Sequence, residues 1–152
     1  MPSFNLRVYA LIINEKNEIL LSSERRNGFA FVKFPGGGVE SGEGIIEALI
    51  RELGEELGLK VKAEELKFYY FNDFFQASAF RQSDQIVAFY YVLKVHSNSL
   101  KIPTNTLVPT AGDYEIQHWK SLQDCSVDEV TFPIDKVVLN KLIDVQMDFP
   151  YY

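Results

Sequence analysis

Residues 38–59 read GVESGEGIIEALIRELGEELGL and predict an amphipathic helix with an unusual distribution of charge. Apolar side chains recur at steps of four and three residues, which is the period of a helix with one buried face. These side chains are Ile46, Ile50, Leu53 and Leu57, with Ile45 and Leu49 widening the stripe. Ser41 is the expected N-cap, and Gly58 is the residue at which we expect the helix to end.

Three glutamates crowd the C-terminal end of this helix, where the helix dipole disfavours negative charge. Glu52 and Glu56 are one turn apart with Glu55 between them, and like charges at such spacings cost roughly 0.2–0.5 kcal/mol per pair. Arg51 can neutralise one of the three carboxylates. Local rules are most often broken at functional sites. One interpretation is an acidic helix face in solvent. The other is a site for Mg²⁺ or Mn²⁺, because both ions take oxygen ligands.

The spacing of the defined residues separates these two interpretations. It consists of Gly37, Glu43, Arg51-Glu52-Leu53, Glu55-Glu56 and Gly58-Leu59. The pattern resembles the complete Nudix box, with a match at every defined position. A chance match in a chain of this length has odds on the order of 10⁻⁷. The resemblance therefore favours the metal site over a solvent-exposed acidic face.

The resemblance to the Nudix (MutT-like) hydrolases implies a fold and a reaction. The implied fold is an α/β/α sandwich with a central mixed sheet, in a single domain over residues 1–152. The implied reaction is divalent-metal-dependent hydrolysis of a diphosphate bond in a nucleoside diphosphate linked to another moiety X, by attack of a metal-activated water on phosphorus. The small-molecule substrate is a modified nucleoside triphosphate, a dinucleoside polyphosphate or a nucleotide sugar, and the cofactor is Mg²⁺ or Mn²⁺.

The resemblance also assigns roles within the box. It implies that the metal ions are bound by four residues: Gly36, through its backbone carbonyl, and Glu52, Glu55 and Glu56. Arg51 is expected to orient one of these carboxylates through a charged hydrogen bond. These three glutamates and Arg51 are the catalytic candidates within the box.

The general base is left open by the sequence. It is one of the box glutamates or a carboxylate outside the box, for which Glu115 at the start of "EIQHW" is the best candidate. Asp113 and Asp84 are the alternatives, and Glu115 also fits an exposed glutamate at the end of a strand. Glu43 resembles the box glutamate that braces the junction between the glycine loop and the helix.

Residues that contact the substrate are harder to identify. Lys33 and Arg25 are candidates for a phosphate contact, although both also fit surface cations. In "FNDFF" (71–75), Asn72, Asp73 and Phe75 are candidates for hydrogen bonding to a base or stacking on it, with strand packing as the alternative. No proline lies between residues 59 and 102, which departs from typical ADP-ribose-directed and NADH-directed Nudix enzymes and weakens both interpretations.

Two alternative functions share the fold. A Nudix-like regulatory module binds a nucleotide without hydrolysing it, but such modules often have a degraded box. An isomerase similar to isopentenyl-diphosphate isomerase needs a catalytic cysteine near the site, whereas Cys125 lies far along the chain in "QDCSVDE".

Composition limits the partners. The chain of 152 residues has 15 basic and 21 acidic residues, a formal charge of −6 and a pI of about 4.9. An acidic surface repels nucleic-acid polymers and anionic membranes. The single cysteine cannot form an internal disulfide, which suits the cytoplasm. We expect no membrane helix, because no uncharged stretch approaches the roughly 20 residues needed. A homodimer is common in this fold.

The rest of the chain predicts a mixed α/β domain, because strand patterns alternate with hairpin turns and one further helix pattern. We expect a polar loop over residues 24–30, a glycine loop over 36–38 and mostly loop over 96–113. The predicted strands cover residues 4–13, 19–23, 31–34, 66–75, 85–95 and 114–122, and the second helix covers 135–147.

Overall fold

The computed structural model describes residues 2–103 and 107–145. The strands are β1 (Ser3–Ile13), β2 (Glu18–Arg26), β3 (Phe29–Lys33), β4 (Gly36–Gly38), β5 (Lys67–Phe71), β6 (Asp84–Lys94) and β7 (Tyr114–Ser121). The helices are α1 (Ile45–Leu57) and α2 (Pro133–Val145). The predicted fold class, an α/β sandwich with a central mixed sheet, is confirmed.

The chain divides into two compact units. The first contains the residues up to Leu11 together with Pro35–Leu93, and the second contains Ile12–Phe34 and the residues from Lys94 onward. Strand β1 begins in the first unit and ends in the second. This division does not test the prediction of a single domain over residues 1–152, which we keep as a proposal.

In the first unit, β4 pairs antiparallel with the beginning of β1, with Val8 opposite Gly37. Strand β6 is the neighbour of β1 in the sheet, and β5 pairs antiparallel with β6. Helix α1 packs against β4. The core of this unit contains Val8, Leu49, Leu53 and Tyr90, all nearly or completely buried. The prediction of a glycine loop over residues 36–38 is therefore wrong, because these residues form strand β4.

Helix α1 confirms the predicted helix but begins later than expected. Its N-cap is Gly44, not Ser41, and the Glu47 carboxylate accepts a hydrogen bond from the Gly44 N–H at 2.9 Å. Gly58 ends the helix in the left-handed conformation, with φ of 63°, as glycine does most readily. The fully buried face consists of Ala48, Leu49 and Leu53. The predicted stripe is thus buried at Leu49 and Leu53, while its other members are half-buried.

In the second unit, β2 lies between β3 and β7, and both pairs are antiparallel. The last residue of β1, Ile13, pairs with Ile19 of β2. Apolar side chains from these strands and from α2 form a core in which Leu20, Phe34 and Leu139 are completely buried.

The predicted polar loop over residues 24–30 is wrong. Strand β2 continues to Arg26, which pairs with Phe29 at the start of β3. Between them, Asn27 and Gly28 have φ values of 52° and 83°. Positive φ at both central residues is the signature of the tight two-residue hairpin turn that favours Asn-Gly. The Asn-Gly pair is therefore the local signal for a hairpin turn, although the polar composition of the segment suggests a loop.

Two further boundaries differ from the sequence prediction. The strand predicted over 66–75 ends at Phe71, and α2 begins at Pro133, two residues earlier than expected. Residues 146 and 147 of the predicted second helix lie outside the described residues. None of the helices within the described ranges is long and apolar enough to cross a membrane. Cys125 is buried, and this burial raises the pKa of its thiol to about 11.

Candidate active site

The box glutamates meet the glycine strand β4 within the first unit. The Gly36 N–H donates a hydrogen bond to Oε2 of Glu56 at 3.3 Å. A Cβ atom placed on Gly37 would lie 2.6 Å from Oε1 of Glu52. Two carboxylates from α1 therefore lie directly against two adjacent glycines.

These glycines are needed for steric reasons. Gly36 has φ of 141°, which side chains rarely tolerate, and a Cβ there would lie 2.2 Å from the Val8 carbonyl oxygen. At Gly37 the obstacle is different, because the added Cβ would displace the Glu52 carboxylate rather than the backbone. The absence of side chains thus allows the carboxylates to approach the main chain.

Arg51 connects the carboxylates to one another and to β4. Its Nε and Nη2 donate to the two oxygens of Glu43 at 3.0 and 2.7 Å, a bidentate pair. Its Nη1 donates to Glu52 at 3.1 Å and to Glu55 at 3.3 Å. Nη2 also donates to the Gly38 carbonyl at 3.1 Å. Arg51 therefore holds three carboxylates and the end of β4 together, and its role in catalysis stays a prediction.

The bidentate pair has an electrostatic consequence. The hydrogen bonds from Arg51, assisted by the Glu40 N–H at 2.8 Å, lower the pKa of Glu43 from 4.5 to about 2. The same pair raises the pKa of Arg51. Glu43 is therefore ionised throughout the neutral range and ties the segment before α1 to the middle of the helix, consistent with a bracing role.

The oxygen atoms at this site suit a hard cation. Glu52 is mostly buried and Glu56 is half-buried, whereas 60% of the Glu55 side chain is exposed. No three His, Cys, Asp or Glu side chains within residues 2–103 and 107–145 converge closely enough to form a complete metal site. Mg²⁺ usually keeps several waters and needs only one or two carboxylates together with substrate phosphates. Glu52, Glu56 and the Gly36 carbonyl fit that chemistry, and their metal-binding role remains a proposal.

The candidate bases outside the box already have partners. Glu115 pairs with Arg26 at 3.4 Å and accepts a hydrogen bond from Gln117 at 3.3 Å. Asp113 accepts from the Asn27 N–H at 3.0 Å, at the tip of the β2–β3 hairpin. Asp84 accepts from the Ser3 hydroxyl at 2.8 Å. These contacts leave the identity of the general base a prediction.

A second charged cluster, in the second unit, was missed by the sequence analysis. Glu24 is completely buried, and its carboxylate contacts the Lys33 Nζ at 3.4 Å, the Ser22 hydroxyl at 2.9 Å and the Arg26 Nε at 3.1 Å. We call Ser22, Glu24, Arg26 and Lys33 the Glu24 cluster. The signal for it was the alternation of Ser22, Glu24 and Arg26, which places all three side chains on one face of β2.

Lys33 and Arg25, the candidates for a phosphate contact, have different environments. Lys33 is only 6% exposed, so the alternative of a surface lysine is wrong. Its Nζ also donates to the Phe34 carbonyl at 3.1 Å. The Arg25 guanidinium lies over the Tyr114 ring, 5.0 Å from its centroid, and donates to the Gly112 carbonyl at 3.4 Å. Their roles toward a substrate stay predictions.

The candidate base-binding residues follow β5. Asn72 is buried, and its side chain donates to the carbonyls of Phe74 and Ile86 at 3.0 Å and accepts from the Ala88 N–H at 2.8 Å. These bonds end the strand at Phe71 and hold the next residues in place. Asp73 and Phe75 are exposed beyond them. Asn72 thus supports the segment, while the substrate contacts predicted for all three residues stay untested.

Comparisons with known proteins agree on one family. A family model described as the NUDIX domain matches residues 3–142. An ADP-ribose pyrophosphatase from Methanocaldococcus jannaschii is 45% identical over 56 residues, which cover 36% of this chain and 33% of that protein. The chain thus spans about a third of the length of this curated relative.

Solved structures resemble the whole fold. The solution structure of the E. coli ORF135 protein has a TM-score of 0.69 and 22% identity, covering 100% of this chain and 96% of that one. The MutT NUDIX hydrolase from Burkholderia pseudomallei has a TM-score of 0.68 and 20% identity, covering 93% and 99%. At such identities the likeness concerns the fold alone.

Proposed function

The chain belongs to the NUDIX family, and we propose that it is a hydrolase that cleaves a diphosphate bond in a nucleoside diphosphate linked to another group. The proposed cofactor is Mg²⁺ or Mn²⁺. The observation that carries this proposal is the pair of carboxylates, Glu52 and Glu56, lying against Gly36 and Gly37. Both side chains place carboxylate oxygens, which are hard ligands, next to a stretch of main chain made of glycines.

Charge balance supports a cation at this site. Arg51 contacts Glu43, Glu52 and Glu55, so one positive charge faces three negative ones. A diphosphate would add further negative charge. A divalent cation held by Glu52, Glu56 and the Gly36 carbonyl would neutralise phosphate oxygens as a Lewis acid and lower the pKa of a bound water.

The protein residues have separate tasks in this proposal. Arg51 holds the Glu52 carboxylate in a fixed orientation, and Glu43 fixes Arg51 in turn through the bidentate pair. A carboxylate within reach of the attacking water accepts its proton. The candidates are the three box glutamates and Glu115, and Glu55 is the most exposed of the box set.

We propose a substrate from among modified nucleoside triphosphates, dinucleoside polyphosphates and nucleotide sugars. The name of the Methanocaldococcus jannaschii relative adds ADP-ribose as a compound to test. The cytoplasmic location and the homodimer stay predictions.

The proposal is tested by incubating the protein with these four substrate classes in Mg²⁺, in Mn²⁺ and in EDTA, and measuring phosphate and nucleotide release. We expect turnover of at least one compound that requires a metal and is lost in Glu56→Gln. Glu64→Gln, which changes an exposed glutamate outside the box, is the matched control and should retain wild-type turnover. The absence of turnover on every diphosphate, or turnover unchanged in Glu56→Gln, would contradict the proposal.

A further inference from the structure

We propose that two copies of this chain associate through one side of the β5–β6 hairpin in the first unit. Four aromatic rings lie on that side, and we call Phe68, Phe71, Phe89 and Tyr91 the aromatic face. The proposal gives the homodimer expected from the sequence a defined interface. It does not depend on the proposed hydrolase function.

Strand pairing places the four rings together. Phe68 lies opposite Tyr91 and Phe71 lies opposite Phe89, with ring centroids 5.7 and 6.0 Å apart. Phe68 and Phe71 also contact each other, with centroids 6.3 Å apart. Successive residues of a strand point to opposite faces, so Tyr90 lies on the other side of β6, where it is almost completely buried. The hairpin therefore has one face in the core and one aromatic face.

The aromatic face is open to solvent. Phe68 is 55% exposed and Phe71 is 47% exposed, while Phe89 and Tyr91 are half-buried. Strand β5 also stands last in the strand order that residues 2–103 and 107–145 form. Contiguous exposed rings on the outermost strand of a sheet mark an interaction surface, because their exposure to water is unfavourable.

The exposed area fits an interface of ordinary size. With its connecting segment, the hairpin exposes five phenylalanines: Phe68, Phe71, Phe74, Phe75 and Phe80. About half of each is exposed on average, and an aromatic side chain has roughly 150–250 Å² of surface, so the five present roughly 500 Å². One side of a standard interface buries about 800 Å², of which about 56–65% is apolar. The hairpin therefore supplies the apolar part of one side.

Charges at the two ends of β5 favour a second copy as the partner. Lys67 begins the strand and Asp73 follows its end, and both side chains are exposed. When two copies meet about a two-fold axis with their β5 strands antiparallel, each Lys67 lies beside Asp73 of the other copy. The same alignment brings Phe68 of each copy to Phe71 of the other. Symmetry then forms both ion pairs at once, and charges at the rim fix the orientation of the copies.

The test measures the oligomeric state without substrate or metal, by light scattering during gel filtration and by sedimentation equilibrium over a dilution series. We expect a dimer with a Kd in the micromolar range or below. Phe68→Glu places a charge within the aromatic face and should raise the Kd by about 30-fold or more, the effect of losing a central aromatic contact. Val137→Glu, at an exposed position of α2, is the control and should dimerise like wild type. Circular dichroism verifies that both variants fold.

Exchange of the two charges identifies the partner as a second copy. Lys67→Glu brings carboxylates together across the interface, and Asp73→Lys brings ammonium groups together. Each single change should raise the Kd by about 3- to 10-fold, and the difference should shrink in high salt. The double variant restores opposite charges and should dimerise nearly like wild type. Such a rescue requires that both residues come from the same chain type.

A monomeric wild type would overturn the proposal, because the aromatic face would then serve a different partner. A dimer unaffected by Phe68→Glu would also overturn it, since association would use another surface. Additive losses in the double charge variant would contradict the antiparallel arrangement. The proposed function is tested separately by turnover, so a monomer that hydrolyses a diphosphate would refute only the dimer.

Discussion

The two charged clusters of this protein differ in how their carboxylates are compensated. In the first unit, the guanidinium of Arg51 contacts the carboxylates of Glu43, Glu52 and Glu55. In the second unit, the carboxylate of Glu24 contacts two cations, Arg26 and Lys33. We call Arg51 and the three glutamates that it contacts the Arg51 cluster. Glu24 is completely buried, whereas the Arg51 cluster is partly open to solvent.

This difference distinguishes a structural ion cluster from a functional one. A carboxylate with no exposed surface is stable only with compensating charges and hydrogen bonds, and the Glu24 cluster supplies both. The Arg51 cluster keeps uncompensated negative charge where solvent and ligands can reach it. An excess of like charge lowers stability, so we expect it where a cation binds.

The largest effect should come from Glu52→Gln. The change removes one charged oxygen from the proposed metal site but keeps the shape of the side chain. We expect kcat to fall by about 10²–10⁴-fold, the range associated with loss of a group that acts in the transition state. Stability should change little or rise, because repulsion among the box carboxylates decreases. Steady-state kinetics and urea unfolding measure the two quantities, with Glu64→Gln as the control.

The distinction between Glu52 and Glu24 would be contradicted if Glu52→Gln unfolded the protein but the fraction that stays folded kept its activity. That result would make Glu52 a structural residue like Glu24.

The opposite behaviour is expected for Lys33→Met. Methionine is similar in length to lysine but lacks the ammonium group. The change therefore leaves Glu24 with one cation instead of two. Breaking a buried ion pair typically costs about 3–5 kcal/mol, and we expect a loss of this size in the free energy of unfolding. Urea titration followed by circular dichroism measures it.

Lys33→Arg keeps the charge and serves as the matched variant, with a smaller expected loss. Wild-type stability of Lys33→Met, with a raised KM for the substrate, would instead support the phosphate contact predicted from the sequence.

A smaller effect is expected for Gly37→Ala. The added Cβ would meet the end of the Glu52 side chain at 2.6 Å, so the carboxylate has to move. We expect the apparent affinity for the activating metal to fall by about 10-fold, because supporting contacts of metal ligands have effects of 10- to 100-fold. The metal dependence of the rate measures it, with stability near that of wild type.

Gly36→Ala is the contrasting variant. Its Cβ would clash with backbone at 2.2 Å, so it should lose stability as well as activity. Equal stability of the two variants would contradict the steric distinction between these glycines.

The smallest effect concerns the pH dependence of stability at Glu43. Its pKa in the folded protein is about 2, against an ordinary value of 4.5, so the carboxylate favours folding while it is ionised. This contribution is complete above pH 4.5 and disappears as the pH falls toward 2. Glu43→Gln lacks it. Wild type should therefore be more stable than Glu43→Gln at pH 7, and the difference should shrink between pH 4.5 and pH 2. A difference independent of pH in urea titrations would contradict this account.

Much of the fold was predictable, because its signals are local. The apolar period of α1 and the strand patterns of β1, β6 and β7 gave elements close to their observed bounds. The errors arose where local composition competed with pairing. Residues 24–26 look like a polar loop, but the Asn-Gly turn and pairing with β3 make them a strand. The extent of β5 depended on hydrogen bonds of Asn72 to residues distant in sequence.

The candidate site was predictable to the extent that the box defines it. The structure brings Glu52 and Glu56 against Gly36 and Gly37, and the metal-binding role that the sequence implied for them stays a prediction. The alternation along β2 signals only part of the Glu24 cluster, because the pair with Lys33 joins two strands whose register is set by the hairpin.

Cys125 offers a practical use of the fold. Its thiol is buried, and its pKa of about 11 keeps it protonated at neutral pH. Since the thiolate is the reactive form, reagents for cysteine should modify the folded protein very slowly. The chain has no other cysteine. A cysteine introduced on an exposed loop could therefore carry a fluorophore without background labelling, and the rate at which Cys125 becomes reactive would report how often the second unit opens.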